Sequence, residues 1–70
     1  MMNSKDRHEY TFKVVDTTSQ YNEEAASERE ARNHLATELL QKEGFSPKDG
    51  EFSRHVKHYA QNKLKLMFMR

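Results

Sequence analysis

The stretch from Ser27 to Phe45 carries both ends of one helix in its own residues, and it limits the fold more than any other part of the chain. Ser27 followed three residues later by Glu30 forms a capping box. The hydroxyl can accept the amide at the third helical position, and the Glu30 side chain can reach back to the cap amide. Glu28 and Glu30 also place negative charge in the first turn, where the helix dipole favours it. At the far end Gly44 suits the left-handed residue that closes a helix. Phe45 then folds back on Leu40, and Pro47 prevents a restart. Between these ends Ala31, Leu35 and Leu39, with Ala36 and Leu40, recur at helical spacing. The pattern predicts a helix over about residues 28–43. Arg32 interrupts its apolar stripe. Its stem is expected to pack on the core with its head on Glu28 one turn earlier, the alternative being a rim arginine kept for a partner.

A chain of 70 residues with 34% hydrophobic content makes one domain with a thin core. It has no cysteine, which excludes disulfides and thiolate zinc sites. No apolar run approaches the ~20 residues that span a bilayer. Residues 1–8 are too polar for a signal peptide and read as a flexible N-terminus, leaving 9–70 as a single small α+β domain. The expected location is cytoplasmic. Net charge is +1, so bulk attraction to nucleic acid is weak. The charge is unevenly placed: residues 1–45 hold six Lys/Arg and nine Asp/Glu, whereas residues 46–70 hold six and two. A local basic patch is therefore compatible with a near-neutral protein.

Glu9 to Val15 alternates and is rich in aromatic and β-branched residues, which predicts a strand with Tyr10, Phe12 and Val14 facing the helix. Asp16-Thr-Thr-Ser19 supplies a turn. Gln20 to Ala26 reads as a second strand with Tyr21 inward, or as an early helix start capped by Asn22. The Ser27–Glu30 box favours the strand.

Residues 51–70 read two ways. Lys63 to Arg70 alternates in period two, and Gln61-Asn62 could turn a hairpin into it from Phe52–Ala60. Phe52, Val56, Tyr59, Ala60, Leu64 and Met67 equally share one face of a helix. That helix shows no convincing cap, so the hairpin is favoured. The resulting architecture is a two-layer α+β sandwich, one helix on an antiparallel sheet in the order ββαββ. Tyr10, Phe12, Val14, Phe52, Val56, Ala60, Leu64, Leu66 and Phe68 would face the helix. Thr11, Lys13, Val15, Ser53, His55, Lys57, Tyr59, Lys63, Lys65, Met67 and Met69 would share the open face. The alternative is a strand–helix–helix chain whose lone strand pairs with a second copy, as in a ribbon–helix–helix dimer.

Tyr10-Thr-Phe-Lys-Val-Val and then Glu24-Ala-Ala-Ser-Glu-Arg-Glu-Ala-Arg32 resemble small phage and mobile-element proteins, some anti-CRISPR proteins among them, with a strand, strand, Ala-x-Ser, helix, hairpin order. The resemblance covers about the first half of the chain. It implies a compact inhibitor or adaptor that occupies a partner's surface, and it assigns no functional residue.

The chemistry narrows by elimination. His55 and His58 are three apart but lack a third fixed ligand, and His8 and His34 lie elsewhere, so no metal site is expected. There is no Gly-x-Ser-x-Gly and no phosphate-cradling Gly-rich loop, and a thin core cannot enclose a substrate. The expectation is a non-enzyme without a cofactor, a small-molecule substrate or a membrane attachment. Lys13, His55, Lys57, Tyr59, Lys63, Lys65 and Met67 on the open face form the candidate binding set, with Arg32 in second rank. Exposed Met and Tyr beside lysines favour a protein partner or a second copy. Basic charge beside an aromatic ring leaves single-stranded RNA or DNA as the runner-up partner. The ribbon alternative would put paired strands in a DNA major groove.

Overall fold

Two strands, two helices and a third strand follow one another along residues 7–70, the residues described by the computed structural model. They are β1 (His8–Val14), β2 (Gln20–Ala25), α1 (Glu28–Lys42), α2 (Phe52–Asn62) and β3 (Leu64–Met69). The sheet is antiparallel with order β2-β1-β3, so β1 is central and both helices lie on one face. The α+β class and the antiparallel sheet agree with the sequence. The order ββαββ is corrected to ββααβ.

The first half forms as its local signals dictate. Asp16 takes a left-handed conformation (φ 71°) in the β1–β2 turn. The Thr17 hydroxyl donates to the Val14 carbonyl and accepts from the Ser19 amide. Pairing of Phe12 with Tyr21 and Tyr10 with Glu23 sets Tyr21 on the helix side. The α1 cap is the expected box with one change. The Glu30 amide donates to the Ser27 hydroxyl at 3.2 Å, but the Glu30 carboxylate accepts from Ala26 rather than from the cap residue. At the C-terminus Gly44 has φ 102°. Its amide donates to the Gln41 carbonyl and the Phe45 amide to that of Leu40, the hydrogen-bond pair of a Schellman ending.

The hairpin expected over residues 52–68 is instead a helix and a single strand. Its missing start signal lies upstream: the Asp49 carboxylate accepts from the Glu51 amide at 2.9 Å, and the Asp49 carbonyl accepts from Phe52. Asp49 thus caps the first turn although the regular helix begins later. The far end is capped by side chains: Asn62 donates to the His58 carbonyl and Arg32 to that of Ala60. The strand–helix–helix alternative anticipates α2, but β1 is flanked by strands of its own chain and needs no second copy to pair.

The core comprises Tyr10, Phe12, Ala25, Ala31, Leu35, Ala36, Leu39, Ala60 and Leu64. The alanines let α1 approach the sheet and α2 closely, but each buries little apolar area. β1 begins at His8, one residue inside the stretch expected to be flexible, and the remainder of that expectation, residues 1–6, lies outside the described chain. No helix among the described residues is long and apolar enough to cross a membrane.

Candidate functional site

The residues expected to share one open face are divided between the two layers. Lys13 and Lys65 are cross-strand partners on the open sheet face. Their charges lie directly opposite, an arrangement that costs stability unless an anion is near. His55, Lys57 and Tyr59 belong to α2, and Lys63 is its C-cap, so none of the four lies on a strand. Ser53 likewise moves to α2. A helix sends its side chains out every ~100°, so the two-residue alternation that grouped them has no meaning there.

Tyr59 is half-buried against the core, and burial pushes its phenol above the ordinary value, with smaller contributions from Glu43 and Tyr21. His55 stands edge-on to the Phe45 ring with centroids 5.0 Å apart. His58 approaches the Asn62 amide at 3.2 Å. Among the described residues no group of three His, Cys, Asp or Glu side chains is placed to hold a metal ion.

A β-bulge changes the outer half of β3. Phe12 pairs with Leu66 and Thr11 with Phe68, which leaves Met67 as the extra residue. Phe68, expected toward the helix, therefore turns to the open face, and Met69 pairs with Tyr10 on the helix side. The helices stop short of this region. Met67, Phe68 and Met69 are 41%, 48% and 53% exposed, on a strand whose outer edge has no neighbour among the described residues. Arg70 lies over the Phe68 ring at 5.8 Å and pairs with Glu9 at 3.8 Å. Thr11, between Asn22 and Phe68 in the sheet, is only 4% exposed, and its hydroxyl donates to Asn22 Oδ1 at 2.7 Å. The face thus has a buried centre at Thr11, an aromatic ring and a pair of lysines.

Arg32 sits on the other layer. Its Nε donates to Glu28 at 2.7 Å, as the helical spacing predicts. Its Nη1 donates to the carbonyls of Ala60 (2.9 Å) and Leu64 (2.7 Å), and the guanidinium lies 5.2 Å from the Phe12 ring centre. It joins α1, α2 and β3. Beside it runs a groove of about 440 Å³ between the helices, floored by Phe52, Val56 and Ala60 and walled by polar side chains that include Arg29 and Lys57.

On the opposite flank of α1, burial raises the Glu23 carboxyl above its ordinary value, and nearby Glu38 adds repulsion and a hydrogen bond. His34, 3.8 Å away, opposes the rise.

Phe68, Arg29 and Arg70 escape the sequence reading. The bulge that exposes Phe68 has no glycine or other local marker, and the helical pairing that brings Arg29 to Lys57 depends on α2. No family model, curated protein or solved structure matches this chain.

Proposed function

We propose that this chain is a non-enzymatic, cytoplasmic binding module that engages a protein partner through the open sheet face and the outer edge of β3. One observation carries the reading: Met67, Phe68 and Met69 are consecutive, large, apolar and exposed on an edge strand whose outer side has no neighbour among the described residues. An exposed apolar edge is normally blunted by charge, proline or a covering element, because it invites a further strand. Here no described residue covers the apolar half, and Lys65 and Lys13 lie beside it. The fitting partner is an extended segment that adds as a fourth strand. Main-chain hydrogen bonds would supply affinity, and apolar and acidic side chains would meet the methionines and lysines.

The resemblance to small phage proteins supports inhibitor or adaptor behaviour and no particular target, since α2 and β3 stand where that order has a hairpin. A second reading, single-stranded nucleic acid, is favoured by the Phe68 ring lying on the same face as Lys13 and Lys65.

Tagged wild-type protein and Phe68→Ser and Lys13→Glu/Lys65→Glu variants would be compared for partner capture across a salt series. Loss of capture in Phe68→Ser by about tenfold or more, with weak salt dependence, is the expected result. Undiminished capture by both variants would remove the sheet face from consideration. Capture of oligonucleotide that collapses steeply with salt would favour the second reading.

A further inference from the structure

The groove between α1 and α2 has a composition that the sheet face lacks. Its floor is apolar, from Phe52, Val56 and Ala60, and among the described residues no carboxylate lines it. Arg29 stands on the α1 wall and Lys57 on the α2 wall, and both are exposed. Neither has a carboxylate within ion-pair distance among the described residues.

Their own helices explain this. The positions three and four residues from Arg29 are Ala25, Ala26, Arg32 and Asn33, and those from Lys57 are Ser53, Arg54, Ala60 and Gln61. None is acidic, so the i,i+4 pairing that engages Arg32 with Glu28 is denied to both. Arg54, by contrast, is answered by Glu51 at 3.4 Å. Two cations without an ion-pair partner among the described residues therefore line the two walls of an apolar trough.

We infer that this groove is a second docking site, independent of the sheet face, and that its occupant is an acidic amphipathic peptide segment. Charge complementarity around an apolar floor selects this occupant. An apolar side chain of the peptide displaces water from the half-buried Val56 while flanking carboxylates meet Arg29 and Lys57. A nucleic-acid strand fits less well. Phosphates need a longer run of cations, and the Arg32 guanidinium is already held by Glu28 and two carbonyls. With a separate partner on the sheet face, the molecule would join two proteins.

The test measures fluorescence anisotropy with a labelled peptide of alternating Glu and Leu segments, about three helical turns long. Controls are the same peptide with Lys in place of Glu, and an oligothymidine of similar length. The expected result is saturable binding of the acidic peptide alone. Arg29→Glu/Lys57→Glu should weaken it about tenfold or more, because each exposed attraction becomes a repulsion. Both sites are surface positions, and a circular-dichroism melt checks that the variant folds. Amide shifts should cluster at Asn33, Ser53, Lys57 and Gln61. Phe68→Ser should bind the peptide as wild type does, which separates this site from the sheet-face proposal. The inference is overturned if the acidic peptide does not bind or the charge reversal changes nothing. It is also overturned if the loss appears in Phe68→Ser, or if oligothymidine is the ligand that depends on Arg29 and Lys57.

Discussion

Arg32 holds a carboxylate, two main-chain carbonyls and an aromatic face within reach of one guanidinium. It is about a quarter exposed, so these bonds form where water competes poorly. Removing it strips a cap from the α2 C-terminus and a donor from the start of β3 at once. Arg32→Ala should cost about 2–3 kcal/mol, the scale of charged hydrogen bonds lost from partly buried acceptors. Arg32→Met keeps the stem over Phe12 and should lose less. Lysine is a poor substitute, because one ammonium cannot reproduce the planar fork. Urea denaturation of the three variants checks the order. If Arg32→Ala were neutral, the bonds would be superficial and the residue free to serve a partner. Sequence reading anticipated the stem on the core and the head on Glu28. The carbonyls come from residues 28 and 32 positions away, and no local pattern could supply them.

At the scale of elements, local signals were enough wherever an element closes its own ends. α1 has a box at one end and a Schellman pair at the other, and β1 and β2 are joined by a tight turn. α2 carries no recognisable local end signals, because its start signal is displaced to Asp49 and its last carbonyls are satisfied by Asn62 and Arg32. β3 alternated as expected only as far as Leu66, after which the bulge reversed the faces. Lys13, Lys65 and Met67 of the candidate face were therefore legible, and His55, Lys57, Tyr59 and Lys63 were lost with α2. The displaced cap makes a sharp prediction. Asp49→Ala should cost about 1 kcal/mol, whereas Glu51→Ala, at the assigned boundary but making no side-chain cap bond, should stay within about 0.5 kcal/mol. Urea midpoints measure both, and hydrogen exchange should show faster opening at the start of α2 only in the first. A larger loss in Glu51→Ala than in Asp49→Ala would place the functional cap at Glu51.

For the whole molecule, charge follows topology. Glu23 and Glu24 lie on β2 at one edge of the sheet, and Lys63, Lys65 and Arg70 lie at or beside β3 at the other. Two copies meeting through β3 would bring like charges together around apolar contacts. Two copies meeting β2 to β3 would bring opposite charges together. These arrangements respond oppositely to salt, since the Debye length falls from ~30 Å at 0.01 M to ~3 Å at 1 M. The exposed methionines and Phe68 make the β3 contact the more apolar, and repulsion between its lysines opposes it. The chain should therefore sediment as a monomer at low salt and associate weakly as salt rises, with Phe68→Ser abolishing the association. Association strongest at low salt would instead show that attraction between the acidic and basic edges governs self-contact. The apolar end of β3 would then be shielded by a neighbour's β2, and a foreign strand would have to displace it.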